Sequence, residues 1–181
     1  MDRPTPTPTT TPMPTSPPAT DAPGFEARIA AHRGILRKVA ASYARDPDDR
    51  ADLMQEISLQ LWRAWPGYTP DRPFPTWMYR VALNVAISHR RRESRRPVAD
   101  PLEERHEDLV GDADVDAETR QRLALVRRAM QALAPLDRAL LLLHLDGVGH
   151  RDSGEVLGLG ESNVATRLGR IRQQLRRDSG A

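Results

Sequence analysis

The 181-residue chain is predicted to be all-α: two small helical domains joined by an acidic flexible linker, the C-terminal one a helix-turn-helix. Apolar residues recur at helical spacing through most of the chain, and no stretch shows convincing period-two alternation. Charge comes in blocks. Residues 24–97 carry 14 bases and eight acids, residues 98–119 one base and nine acids, and residues 120–181 11 bases and six acids. The chain closes with a short helix, a three-residue turn containing glycine and a longer helix, the proportions of a helix-turn-helix.

The elements follow in order. Residues 1–23 hold eight of the 16 prolines and seven threonines. Proline removes backbone donors and threonine is a poor helix former, so this tail is expected to be disordered or polyproline-like. Phe25, Ile29, Leu36, Ala40 and Tyr43 make one helical stripe. Asp46-Pro47-Asp48-Asp49 ends it and caps a helix over about 50–65. There Leu53, Ile57, Leu61 and Trp65 gather on one side, while Leu59 and Trp62 project elsewhere beside Asp52, Gln55, Glu56 and Arg63. Pro66-Gly67-Tyr68-Thr69-Pro70 breaks the chain, and the loop runs on through Pro73 and Pro75 to Thr76, the expected N-cap of a helix over 77–96. Trp77, Val81 and Val85 are expected to point inward, with Arg80, Asn84 and Arg91 along one edge.

The prolines, Gly111 and repeated acids of 97–119 read as a linker, with a short turn near 102–109. Leu123, Val126 and Met130 mark a helix; Pro135 starts another, through 139–145, which Asp146-Gly147 stops. The pair 151–157 and 161–177 flanks Gly158-Leu159-Gly160. In this short helix Ser153 stands where an apolar residue would pack better, and Gly154 is expected to cost ~1 kcal/mol against Ala. Gly149 and Gly160 hold the two N-cap positions.

Composition excludes several functions. No run of ~18 apolar residues exists, so no membrane insertion is expected. No basic segment precedes an apolar run at the N-terminus, so no secretory signal is expected either. The chain has no cysteine, which excludes disulfides, thiolate metal sites and cysteine nucleophiles and fits a reducing cytosol. Lys38 is the one lysine among 27 bases. Arginine binds phosphate in bidentate fashion, although an Arg- and Ala-rich genome explains the bias equally well. His32, His89, His106, His144 and His150 share no ligand spacing, and the acids concentrate in the linker. No catalytic residue, no metal site and no cofactor is expected.

Two constellations carry binding chemistry. In the last helix Val164, Leu168, Ile171 and Leu175 share one face; Ser162, Thr166, Arg170, Gln173 and Arg177 lie opposite, flanked by Asn163 and Arg167. Such side chains meet base edges and phosphates, and the bland alternative is a solvated basic face. Near the N-terminus, an exposed Leu59 and Trp62 inside a polar rim suit a protein-binding patch, or else a wide core stripe. Tyr68, Phe74 and Trp77 next to arginines could stack unpaired bases, or simply form a small core. The run 89–96 holds five arginines, Arg91 and Arg95 among them, more than a helix C-terminus needs to complement its dipole.

Here the residues resemble a known family. Asp52-Leu53-Met54-Gln55-Glu56, Leu61-Trp62-Arg63-Ala64 and Phe74-Pro75-Thr76-Trp77-Met78-Tyr79-Arg80-Val81-Ala82-Leu83-Asn84 are similar to the second conserved region of extracytoplasmic-function (ECF) sigma factors. Residues 140–145, Asp146-Gly147, Glu155-Val156-Leu157-Gly158-Leu159 and Ser162-Asn163-Val164-Ala165-Thr166-Arg167-Leu168 resemble their fourth region. The resemblance implies a bacterial transcription-initiation subunit that gives core RNA polymerase its promoter choice and helps melt DNA. It implies a region 2 domain over 24–97, a linker over 98–119 and a region 4 domain over 120–178. Asp52, Gln55, Glu56, Leu59, Trp62 and Arg63 would dock on core polymerase. Tyr68, Phe74, Trp77, Arg80, Asn84, Arg91 and Arg95 would engage the downstream (−10) element, Asn84 at a flipped base. Ser162, Asn163, Thr166, Arg167, Arg170 and Gln173 would read the upstream (−35) element. The implied partners are core polymerase, promoter DNA and an anti-sigma protein, and the implied location is the cytoplasm, at the nucleoid when in holoenzyme. A helix-turn-helix regulator acting without polymerase and a two-module protein adaptor are the competing functions.

Overall fold

The computed structural model describes residues 22–95 and 116–178. The Pro/Thr-rich tail up to residue 21, and most of the acidic linker with its expected turn near 102–109, lie outside the described residues. Among those described the regular elements are all helical: α1 (Ala22–Ala31), α2 (Arg33–Tyr43), α3 (Pro47–Ala64), a 3₁₀ turn (Trp65–Gly67), α4 (Phe74–Glu93), α5 (Ala117–Gln131), α6 (Pro135–Leu145), α7 (His150–Leu157) and α8 (Glu161–Asp178).

Several boundaries differ from expectation for local reasons. The first stripe is two helices, because the backbone turns at His32 (φ −114°, ψ 16°). His32 N–H still reaches the carbonyls of Arg28 and Ile29 at 3.2 Å, so the chain bends without losing its ladder. Asp46 caps α3 by accepting from Asp49 N–H at 2.8 Å, and Pro47 occupies the first turn, so the helix starts ahead of residue 50. The same tolerance moves the start of α4 to Phe74. Pro75 sits in the first turn, where its missing N–H is not needed, and Thr76 is inside the helix rather than its cap. Asp116 caps α5 by accepting from Thr119 N–H at 2.8 Å, so the last expected linker residues are helical.

The core of the N-terminal half lies between α2, α3 and α4, where Val39, Ala40, Leu53, Ile57, Leu61, Met78, Ala82, Leu83 and Ala86 are fully buried. The inward face of α4 is thus Met78, Tyr79, Ala82, Leu83 and Ala86, not Trp77, Val81 and Val85, which are half-buried. Alanines at 82 and 86 fit a face crowded by neighbours, and α4 is flanked by α2 and α3 as well as by α6 and α7. Val126, expected inward on α5, is exposed beside Leu125; of that stripe Met130 reaches the core, followed by Leu133 just after the helix.

In the C-terminal half Leu140, Leu143, Val156, Val164, Leu168 and Ile171 close the core between α6, α7 and α8. The two halves touch. Tyr43 Oη donates to the Pro135 carbonyl at 2.6 Å. Arg138, a buried cation, donates to the Ser42 carbonyl at 2.9 Å and the Gln131 carbonyl at 2.6 Å, and its guanidinium lies 5.2 Å from the Tyr43 ring centroid. Burial lowers the Arg138 pKa and raises that of Tyr43, the cost of desolvating each charged form. Lys38 and the Tyr79 hydroxyl both reach the Asp146 carboxylate, and Arg72 pairs with Glu155 at 3.3 Å.

Candidate nucleic-acid interface

The apolar register of α3 decides its outer face. With Leu53, Ile57 and Leu61 spaced at four and turned inward, Leu59 and Trp62 are left 46% and 40% exposed. Phe25 of α1 meets Trp62 edge-on, ring centroids 5.1 Å apart. Asp52, Gln55 and Arg63 are exposed around them. Glu56 is not free: Arg92 of α4 donates to both its oxygens, at 2.6 and 2.8 Å, and His89 Nδ1 lies 3.4 Å away. His89 Nε2 is also 2.7 Å from Asp49 Oδ1, and Asp49 Oδ2 accepts from Arg45 N–H at 2.9 Å. Burial alone would push the Asp49 carboxyl up. The Arg45 N–H, the His89 hydrogen bond and the nearby cations overcome it and hold the group below the usual carboxylate range. This network ties α3 to the basic end of α4. Asp49 looked like a cap residue in the sequence, and its partner His89 stands forty residues away.

The aromatic residues before and within α4 form one cluster. Trp65 and Tyr68 stack with centroids 5.2 Å apart and planes 14° apart; Phe74 lies 5.3 Å from Trp77 and 5.5 Å from Tyr68. Phe74 is buried at its centre, whereas Tyr68 and Trp77 are half-buried. A base could therefore reach the margins of Tyr68 and Trp77, but Phe74 only by displacing its neighbours. Arg28 of α1 lies over Tyr68 at 5.6 Å and Phe74 at 5.8 Å. Sequence reasoning missed it, since nothing in residues 22–31 signals that α1 folds back on this loop. Arg80, Asn84, Arg91 and Arg95 are all exposed.

On α8, Val164, Leu168 and Ile171 are buried, and Ser162, Asn163, Thr166, Arg170 and Gln173 face solvent. Arg167 is half-buried: it donates to Asn163 Oδ1 at 3.2 Å and to Asp137 Oδ1 at 2.7 Å. The turn before α8 explains the two unfavourable residues of α7. Gly158 adopts φ +69°, and Leu159 N–H returns to the Gly154 carbonyl at 2.9 Å. That return brings the Leu159 carbonyl so close that a Cβ on Gly154 would stand 2.5 Å from its oxygen. Ser153, buried, donates through Oγ to the Val148 carbonyl at 3.4 Å. Glycine at 154 is thus a steric requirement of the turn and Ser153 a buried polar tie, where sequence reasoning saw only lost propensity.

No group of three or more His, Asp or Glu among the described residues could hold a metal ion, and no described helix is long and apolar enough to cross a membrane. The arrangement offers an apolar patch, an arginine- and amide-lined helix edge beside half-buried aromatics, and an exposed polar face on α8.

Known families match both halves of the chain. Residues 28–96 match the Sigma-70 region 2 family and residues 123–175 match Sigma-70, region 4. The chain is 26% identical over 153 residues to the ECF RNA polymerase sigma factor SigM of Mycobacterium tuberculosis, covering 84% of this chain and 76% of that protein. It is 29% identical over 161 residues to the RNA polymerase sigma factor CnrH of Cupriavidus metallidurans, covering 83% and 84%. In fold it resembles the sigma factor RpoE of Bartonella quintana, solved in complex with the anti-sigma factor NepR, with a TM-score of 0.65 at 19% identity over 85% of this chain and 95% of that one.

Proposed function

Since the chain belongs to the ECF RNA polymerase sigma factors of the sigma-70 family, we propose that it directs bacterial core polymerase to a specific set of promoters and helps open them. The observation that carries the reading is the order of parts. A region 2 match with an exposed apolar patch and a basic helix edge precedes a region 4 match with a polar recognition helix. The exposed face of α3, with Asp52, Gln55, Leu59, Trp62 and Arg63, docks on core polymerase, and Glu56 positions α4 through Arg92. Tyr68, Trp77, Arg80, Asn84, Arg91 and Arg95 engage the downstream element, with Phe74 supporting the rings from beneath. Ser162, Asn163, Thr166, Arg170 and Gln173 read the upstream element, and Arg167 braces the helix start. The functional units are 24–97 and 120–178, with 98–119 spanning between them.

The protein supplies binding energy and no catalysis, works in the cytoplasm, and is held in check by an anti-sigma protein, the kind of partner with which RpoE of Bartonella quintana was solved. The test is transcription from a randomised promoter pool by core polymerase with and without the chain. Transcripts that appear only with the chain, from promoters sharing two sequence elements, support the reading. Tight, sequence-specific duplex binding in the absence of polymerase, with no gain in transcription, would instead identify a free-standing regulator.

A further inference from the structure

We propose that Arg28 of α1 is a further DNA-binding residue: it holds a backbone phosphate of the single strand that passes the margins of Tyr68 and Trp77. The inference rests on the function above and extends its downstream site from α4 onto α1.

The bend at His32 sets the geometry, because it folds α1 back across the loop before α4. Spacings of three and four put Phe25, Arg28 and His32 on one side of the chain. All three meet the aromatic cluster. The Phe25 ring centroid is 5.1 Å from that of Trp62 and 5.5 Å from that of Trp65, and the His32 ring is 5.4 Å from Phe74. Between them the Arg28 guanidinium lies over Tyr68 at 5.6 Å and over Phe74 at 5.8 Å.

The helix does not need this cation to stay in place, since Phe25 and Ile29 pack it against the core by apolar contact. Arg28 itself is exposed. Among the described residues no carboxylate pairs with it, whereas Arg45 and Arg92 are matched to Asp49, Glu93 and Glu56. A ring face attracts the guanidinium charge but offers no oxygen to its N–H donors. The rings therefore fix where Arg28 sits and leave its fork open to an acceptor from outside. Tyr68 is itself fixed, stacked on Trp65 and donating through Oη to the Arg72 carbonyl at 3.1 Å.

A phosphate of an unpaired strand is the acceptor that fits this place. Tyr68 joins two banks of one path. Arg28 stands on one bank; on the other is Trp77, its ring centroid 5.2 Å from that of Tyr68, with Arg80 and Asn84 continuing from it along α4 at helical spacing. Aromatic margins for bases with arginine beside them for the backbone are the two parts of a single-strand site. A phosphate is one sugar away from its base, so the backbone of a base at Tyr68 or Trp77 comes within reach of Arg28, whose planar fork matches phosphate oxygens.

The test uses the full chain in holoenzyme, at saturating core polymerase. Its probe is fork-junction DNA whose unpaired strand carries the downstream element of a promoter that the parent holoenzyme selects. Arg28→Gln should bind the fork about tenfold more weakly than the parent. The slope of log affinity against log salt should fall by about 0.7, one phosphate of a single strand. Methylphosphonates, each removing one phosphate charge, locate the contact. At one position of the unpaired strand the substitution should weaken the parent about tenfold and Arg28→Gln by less than about twofold. Arg28→Met, which keeps an apolar stem against the rings, replaces Arg28→Gln if that variant does not fold. Parental affinity and salt slope in a folded uncharged variant overturn the assignment. So does a weakened variant that feels every methylphosphonate as the parent does, which would make Arg28 only a brace for α1, and so does the failure of both variants to fold. A parent holoenzyme that selects no promoter overturns the proposed function and the role of Arg28 with it; that failure shows in the parent, before any substitution.

Discussion

Trp62 owes its exposure to its neighbours in register. Leu61 goes fully inside, and the next residue is turned out by a third of a helical turn. A large aromatic in such a place is the common form of an interface hot spot, so Trp62→Ala should weaken binding to core polymerase by ~2 kcal/mol. Circular dichroism should show unchanged helicity, since the buried side of α3 is untouched; equal core affinity in the folded variant would remove the docking role. Asp49 is the opposite case, a buried acid whose work is structural. Its carboxyl is held below the ordinary value, so its contribution to stability is present above the unfolded pKa of about 3.9 and is lost as pH falls through the lower folded value. Asp49→Asn should cost about 1–3 kcal/mol at neutral pH. Thermal melts should show the gap between parent and variant closing below about pH 4; a gap that persists would mean the ionised carboxylate is not what matters.

The helix-turn-helix shows how an element can look weak in sequence and be tightly specified in space. Gly154→Ala would raise helix propensity by ~1 kcal/mol in an isolated helix. In the folded chain the added methyl meets the Leu159 carbonyl, a backbone atom that cannot swing away. The variant should therefore lose roughly 2 kcal/mol or more in denaturant unfolding. A stabilised Gly154→Ala would mean that the turn relaxes freely. For α8, position along the helix divides the labour. Asn163 and Thr166 lie in its first two turns and Arg176 in its last. Changing either early residue to alanine should shift the upstream sequence recovered by selection, at ~1–3 kcal/mol per base contact. Arg176→Ala should instead weaken all promoters alike and reduce the salt slope by about one phosphate contact. Recovery of the parental upstream sequence by both early variants would take base reading away from this helix. The helical elements were legible because periodicity and caps are local. The inward face of α4 was not, because that helix is packed from two sides and its small residues Ala82 and Ala86 carry the contact that Trp77, Val81 and Val85 were expected to make.

At the scale of the molecule, charge is arranged by segment, and the two basic halves meet through the few acids the C-terminal half can offer. Its Asp137 braces Arg167 on α8, while Asp146 and Glu155 face the N-terminal half. The Pro/Thr-rich tail differs in composition, with eight prolines and seven threonines in residues 1–23, and such a composition is expected to bury little apolar surface. A chain beginning at Ala22 should therefore keep its transcription activity with purified core polymerase to within about a factor of two. A soluble but inactive truncation would assign the tail a binding role of its own.

By itself the sequence determined the helical class, the break at Asp46-Pro47 and the glycine turn before α8, while the outward placement of Leu59 and Trp62, open in the sequence between a patch and a core stripe, was decided by the packing. The first three follow from spacing within a few residues of chain. Only the tertiary structure decided that α1 bends away at His32 to bring Arg28 over the aromatic cluster, that Asp49 and His89 join α3 to α4, and that Gly154 cannot carry a side chain. It likewise decided that Asp146 holds Tyr79 and that Arg138 ties α6 to α2, pairs separated by 67 and 96 residues. The physical reason is range. A helix face or a cap is written in neighbouring residues, whereas a single arginine, tyrosine or aspartate can meet many partners, and which one it meets is settled only when the helices pack.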